Sequence, residues 1–330
     1  MGSFIVRRVL LLIPTVFFAI SFLFVLFFML PGDPATLLVG GGERNIDPGV
    51  IERARARYGL DDSLVVQFAN YWKRVLRWDL GESFVNGRSV NEIVGEKAPR
   101  SIRLAIWAVI IEIVVGISVG LISAIRRYSI TDKLTTIGTA AAAAIPAFVL
   151  GFILQYAFAV YPNKHDWPEW MQLRTSGLGP DSWWAFFVPT GEQWRYLTLP
   201  AITLACVSTA LAARMMRGSM LEVMRADYMR TARSKGLSER SVVMRHGLRN
   251  ALIPVVTLIG IDFGTVIGAA ILTETVFSWP GVGSQIADSV GERDLPVILG
   301  LTLVVVISYA VINLFIDLSY AWFDPRIRLS

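Results

Sequence analysis

Asp227-Tyr228-Met229-Arg230-Thr231-Ala232-Arg233-Ser234-Lys235-Gly236-Leu237-Ser238, then His246-Gly247-Leu248-Arg249-Asn250-Ala251-Leu252-Ile253-Pro254, is a basic, polar stretch between two strongly apolar ones. From residue 214 to 250 it holds nine basic residues (Arg214, Arg217, Arg225, Arg230, Arg233, Lys235, Arg240, Arg245, Arg249) against three acids (Glu222, Asp227, Glu239). A cation at a bilayer centre costs roughly 2.5–3.5 kcal/mol on the insertion scale, so this stretch sits in water. Helical spacing puts Met220, Met224, Tyr228 and Ala232 on one stripe, which is expected to dock against something, while Arg230 and Arg233 point elsewhere. Gly236 suits the end of that helix, because it takes left-handed backbone without the roughly 1 kcal/mol penalty of other residues. Ser238 with Glu239 then restarts a helix as N-cap and first-turn acid, and Pro254 enters the next apolar run. Two uses stay open on these residues alone: a basic amphipathic helix lying on anionic headgroups, or a compact protrusion that a partner can push or pull.

The chain has 330 residues, of which 54% are hydrophobic and 17% charged. Soluble domains carry about 25% charged residues, so the composition is that of an integral membrane protein. The net charge of +5 does not point to nucleic acid, because the basic residues border the apolar runs. A lone cysteine, Cys206, allows no internal disulfide and lies in an apolar run, as a small buried residue would.

Residues 9–30 carry no charge. As a helix they reach about 33 Å, enough for a hydrocarbon core of about 30 Å. Arg7 and Arg8 precede this run, and Pro31-Gly32-Asp33-Pro34 stands where a cleavage site would be expected, so the run reads as an uncleaved anchor. Further spans fall near 104–125, 134–161, 197–213, 251–277 and 296–322, giving six. One side of these spans collects Arg7, Arg8, Arg126, Arg127, Lys133, the nine residues of the long loop, Arg326 and Arg328. The short loops opposite hold Lys164, Arg174, Arg195 and Arg293, and the bias places both termini and the long loop in the cytoplasm.

Residues 31–98 are nearly balanced in charge, with helical spacing at 51–58 and 65–80, Trp72 and Trp78, and a turn at Gly40-Gly41-Gly42. They read as a small folded outer subdomain between the first two spans. The chain is thus divided into an anchor at 1–30, the outer subdomain at 31–98, a core of five spans at 99–325 containing a cytoplasmic coupling segment at 218–250, and a tail at 326–330. The second outer loop, 162–196, carries Trp167, Trp170, Trp183, Trp184 and Trp194, as an interfacial aromatic belt or, less simply, a ligand cage would.

Catalytic chemistry is missing. None of Lys73, Lys97, Lys133, Lys164 or Lys235 follows a glycine, so there is no phosphate-cradling loop. His165 and His246 fall on opposite sides of the membrane in this topology, and no zinc set or Ser/His/Asp set is visible. The chain is expected to be no enzyme and to hold no metal or cofactor. Intramembrane carboxylates are functional candidates by default. Glu112 lies deepest, near the middle of the second span, lining an aqueous pathway or hydrogen bonding within the bundle; Asp262, in the first half of the fifth span, is a further candidate for pathway or packing, whereas Glu274 and Asp317 are expected to be solvated or capped at span ends. Gly260, Gly264 and Gly268 repeat every fourth residue, as do Gly116 and Gly120, and such stripes let helices approach closely.

The long basic loop resembles the cytoplasmic signature of permease subunits of ABC importers in the dipeptide/oligopeptide/nickel family. The resemblance covers nearly the whole chain: Arg7-Arg8 with Pro31 to Pro34, Ile145-Pro146-Ala147-Phe148 before Gly151, Leu199-Pro200-Ala201-Ile202-Thr203-Leu204, Glu274-Thr275-Val276-Phe277 with Pro280-Gly281-Val282-Gly283, Arg293-Asp294, Asn313, Asp317 and Asp324-Pro325-Arg326. The wider importer superfamily has Glu-Ala-Ala, three residues, then Gly, with Ile and Leu-Pro following. This chain has Arg230-Thr231-Ala232 and Gly236, with His246 for the Ile and Arg249 for the Pro, departures that resemble the peptide subfamily rather than sugar or amino-acid permeases. The resemblance implies an all-α membrane protein of the type I importer kind with six transmembrane helices. Its coupling residues would be Asp227, Tyr228, Arg230, Thr231, Ala232, Gly236, Leu237 and Ser238, inserted in a groove of an ATPase subunit. Implied partners are a second, homologous permease, two ATP-binding subunits and an extracytoplasmic substrate-binding protein in the bacterial inner membrane. Peptides are the expected cargo, with nickel chelates, haem or glycosides as alternatives. Two other classes stay open on the residues: a proton-coupled secondary carrier, which would use groups such as Glu112, and a membrane scaffold or receptor that docks through the basic loop.

Overall fold

A computed structural model describes residues 2–28, 49, 52, 55, 61–83, 85–179, 191–292 and 294–323. In chain order its helices are α1 (Gly2–Phe28), α2 (Leu64–Leu76), α3 (Val90–Ile125), α4 (Ile130–Ala144), α5 (Ala147–Lys164), α6 (Gly191–Val223), α7 (Asp227–Ser234), α8 (Leu248–Val276), α9 (Val282–Glu292) and α10 (Leu295–Phe323). Among the described residues the fold is all-α, and β pairing is limited to an isolated bridge between Glu82 and Ser89. Among the described residues four helices are long and apolar enough to cross a membrane, or five if α4 and α5 count as one bent span; within α1 the apolar stretch Ile13–Val25 is shorter.

The chain forms two compact units, one of residues 1–101 and 280–330, the other of 102–279, so the division falls inside α3. In the first unit, α2 lays its aromatic face on α1, with the Phe17 and Trp72 rings stacked at 4.9 Å and Phe24 edge-on to Phe68 at 5.2 Å. Spacing predicts a helix over 65–80, but α2 stops at Leu76. Trp78 has φ +57, and the N–H groups of Arg77 and Trp78 turn back on the carbonyls of Arg74 and Val75, which closes the helix. Of the expected helix at 51–58, only Glu52 and Arg55 lie within the described residues. The core of this unit joins Val90, Ile93 and Val94 to Val282, Val297 and Leu301. Gly300 makes the approach possible, since a Cβ there would stand 2.5 Å from Cγ1 of Val90. The buried Ser83 hydroxyl donates to the buried Asp294 carboxylate, and the Val282 N–H donates to the Ser101 hydroxyl at 2.7 Å.

In the second unit α6 is the axis, packed by α3, α4, α5 and α8. Its 33 residues overrun the expected 17-residue span at both ends, so Trp194 belongs to a helix, edge-on to Trp107 at 4.7 Å, rather than to the outer loop. Trp183 and Trp184 lie outside the described residues. One core cluster holds Leu104, Ala108, Leu197, Ala201, Leu204 and Trp279; another holds Ala124, Ala212, Met216, Met220, Ala251 and Val255. The alanines let backbones close up. A Cβ on Gly116 would meet Ala212 Cβ at 2.9 Å, and one on Gly120 would meet Met216 Cβ at 2.7 Å.

The expected span over 134–161 is bent by 107° between α4 and α5. Ile145 is extended (φ −84, ψ 126) because the ring of Pro146 disfavours helical backbone in the residue before it. Glu274, expected to be solvated or capped at a span end, is fully buried, which leaves only the capped alternative. The side chain of Asp317 lies outside the described residues.

Candidate functional site

The α6 helix ends at Val223, and residues 224–226 turn the chain into α7. Ala226 is extended (φ −67, ψ 148) and Asp227 follows in the first turn, where its charge suits the helix N-terminus. Within α7 the Thr231 hydroxyl donates to the Asp227 carbonyl at 3.1 Å and the Ser234 hydroxyl to the Arg230 carbonyl at 3.1 Å. The end is closed by the Gly236 N–H on the Arg233 carbonyl at 2.9 Å and the Leu237 N–H on the Ala232 carbonyl at 3.4 Å. Gly236 takes φ +76, the left-handed backbone its position requires. Ser238 then accepts the Ser241 N–H at 3.4 Å, capping the short helix Glu239–Ser241, and a π-helical turn, Val242–Gly247, leads into α8.

The turn is held on two faces. Inside, Met229, Ala232 and Val242 form a small buried cluster over Val223, Met224 and Ala226. Beside it Gly247 admits Met220: a Cβ there would stand 2.6 Å from Met220 Cε and 3.3 Å from Met229 Cε. Outside, Arg233 makes a two-pronged bond to Glu239, Nε to Oε2 at 3.1 Å and Nη2 to Oε1 at 2.9 Å. That bond holds the Glu239 carboxyl, which precedes the apolar run at 251–277, below its ordinary value. The Arg230–Asp227 contact, at 3.8 Å between two highly exposed side chains, contributes little.

The apolar face therefore differs from the expected stripe. Met220 lies on α6 and Tyr228 on α7, separated by the turn at 224–226, so the two do not share a helix face. Tyr228 is 43% exposed, and Asp227, Arg230, Thr231, Gly236, Leu237 and Ser238 are exposed with it; Ala232 alone of the eight is buried. The structure thus presents one polar and aromatic ridge to the outside and secures it from behind.

The second group of candidates is dispersed. Glu112 is 1% exposed, at the start of a π-helical turn (Glu112–Gly116) within α3, and its two oxygens accept no hydrogen bond among the described residues. Asp262, on α8, is half-buried and near enough to act electrostatically on Glu112. Gly264 is buried and Gly260 half-buried, whereas Gly268 faces open space. The close helix approaches lie instead at Gly116 and Gly120.

Sequence reasoning missed one constellation. Asp132, 3% exposed and two residues ahead of the apolar run at 134–161, receives Arg217 Nε at 2.6 Å and Nη2 at 2.9 Å. The Ser123 hydroxyl at 2.5 Å and the Tyr128 backbone N–H at 2.9 Å complete the set. The Arg217 guanidinium, then the Ser123 hydroxyl and the Tyr128 N–H, hold this carboxyl far below the usual carboxylate range. The local signal was the cap: Ser129 accepts the Asp132 N–H at 3.3 Å, as Ser three residues before an acid would suggest. Its partner on α6 is 85 residues away and left no local signal. No group of three or more metal-ligating side chains occurs among the described residues.

Residues 116–329 match the family described as binding-protein-dependent transport system inner membrane component, and residues 1–105 match the description of the N-terminal part of such a membrane component. The glutathione transport system permease protein GsiC of Escherichia coli is 38% identical over 328 residues, covering 99% of each chain. Proteins of that same description from Shigella flexneri and Pectobacterium atrosepticum are 37% identical over 328 residues, again covering 99% of each chain. A chain from the crystal structure of an amino acid ABC transporter with histidines aligns with a TM-score of 0.50 at 15% identity, covering 72% of this chain and 94% of that one; the likeness concerns the fold.

Proposed function

The chain belongs to the binding-protein-dependent transport system inner membrane component family, the permease subunits of ABC importers, and on that premise we propose that it lines half of a translocation pathway for di- or oligopeptides. Energy comes from two separate ATP-binding subunits; α7 docks in a groove of one of them, through Asp227, Tyr228, Arg230 and Thr231. A second, homologous permease supplies the other half of the pathway, and an extracytoplasmic binding protein delivers the cargo to the outer loops and to the subdomain at 31–98. Both termini and the segment 218–250 face the cytoplasm of a bacterium, by the bias of basic residues.

The observation that carries this reading is the mounting of α7. A short helix pinned from behind by Met229 and Ala232, with Asp227, Tyr228, Arg230 and Thr231 exposed, and tied within three residues to α6 converts a push on Tyr228 into a tilt of a long helix. A helix lying on headgroups would turn its apolar face outward to the lipid, whereas here that face is occupied by the protein itself. The peptide class is supported by relatives named for glutathione, a tripeptide.

The test is Gly236→Val. The position has open space around it but φ +76, so the substitution strains the turn by about 1–2 kcal/mol and misplaces α7 without disturbing the spans. The variant should insert in the membrane at normal levels and keep ATP hydrolysis in the assembled transporter while peptide uptake falls at least tenfold. Uptake by the unmodified protein should stop without ATP and survive collapse of the proton gradient. Undiminished uptake by the variant removes the proposed coupling role; uptake driven by the gradient alone returns the chain to the secondary carriers.

A further inference from the structure

Asp132 gathers four donors from three places: Ser123 near the end of α3, Tyr128 in the turn that follows, and both prongs of Arg217 on α6. The backbone of that turn is committed as well, since Tyr128 holds φ +64 with its N–H on the carboxylate. Arg217 lies six residues before the end of α6, and three residues further on α7 begins. The Gly120 face of α3 meets α6 at Met216, next to Arg217. A planar guanidinium bonded through two nitrogens to both carboxylate oxygens fixes an angle as well as a distance. Any tilt of α6 must therefore carry α4 and the end of α3 with it, or break the fork.

We propose that Asp132 and Arg217 form the joint through which movement of α7 reaches the second and third spans, making them positioning residues for transport. The inference rests on the coupling role assigned to α7. Without the joint, α6 would still follow α7, but α4 and the turn before it would lose the contact that fixes their angle to α6, and the pathway would not change its opening.

The test reads the joint itself and needs no knowledge of the cargo. Spin labels are placed at Lys133→Cys on α4 and Gly218→Cys on α6, both exposed positions, in a Cys206→Ser background. The distance between them is measured in the complete transporter, without nucleotide and after trapping with ATP and vanadate. With the joint intact the two distance distributions should coincide. With Asp132→Asn they should separate on trapping by several ångströms while ATP hydrolysis continues. Arg217→Lys, which keeps the charge and loses the fork, should separate them too, and it carries the test if Asp132→Asn does not fold. Coincident distributions in the variants overturn the joint, as does equal broadening in both nucleotide states, the mark of a merely structural clip. A third label pair, Tyr228→Cys with Gly218→Cys, keeps the premise distinct. If trapping leaves the Tyr228 label as mobile as before, α7 receives no push and the coupling role itself fails.

Discussion

Gly120 and Gly268 both stand in four-residue glycine stripes, and their surroundings give them opposite consequences. A side chain at Gly120 has nowhere to go, because Met216 Cβ would be 2.7 Å from the new carbon, a backbone-proximal atom that cannot swing aside. Overpacking of this kind costs about 1–3 kcal/mol, so Gly120→Val should lower the melting temperature of the detergent-solubilised chain by several degrees. Gly268 has no atom within 4 Å, and Gly268→Ala removes a flexible residue from a helix interior, a gain of about 0.5–1 kcal/mol. Thermal melts of the two variants side by side should move in opposite directions, and a shared destabilisation would contradict the packing described. Glu112 shows another limit of reading residues singly. Its depth in the apolar run was evident, but its company on α8, Asp262, lies 150 positions away and appears only in three dimensions.

The α7 element owes its place to apolar contact rather than to its charges. Met229 is fully buried against Ala232 and Val242, and replacing a buried methionine by alanine costs about 2–5 kcal/mol. Arg233 and Glu239 are both exposed, and such pairs are worth about 0–1 kcal/mol. Met229→Ala should therefore speed amide hydrogen exchange across residues 227–237 by more than tenfold, whereas Arg233→Ala should change it by less than about fivefold. The reverse order would mean that the segment is held electrostatically. Much of this element was legible in advance: the Gly236 stop and the Ser238 restart are local signals, a backbone preference and a capping hydroxyl, and both appear where expected. The Met220–Met224–Tyr228–Ala232 stripe was misleading because helical periodicity assumes one continuous helix, and the chain turns at 224–226 with no glycine or proline to announce it. The bend at Ile145–Pro146 had its announcement in the proline, but an unbroken apolar run read as one span conceals it. The Asp132–Arg217 fork had half of one: the Ser129 cap marks Asp132, but nothing local marks Arg217, 85 residues away.

At the scale of the whole chain, membership in the importer permease family makes the protein a membrane component of a transport system. On the function proposed above its work is mechanical, and that proposal depends on where the ridge at 227–238 lies and what touches it. Tyr228→Cys in a Cys206→Ser background leaves one thiol, on the exposed face of α7. The decisive measurement is its reaction with a membrane-impermeant thiol reagent, in intact cells and in inside-out vesicles, with and without the ATP-binding subunits. The account predicts no labelling from outside, rapid labelling of the vesicles when the subunits are absent, and protection when they are assembled. Labelling in intact cells, or a thiol that stays as reactive in the complete transporter as in the bare chain, would contradict it.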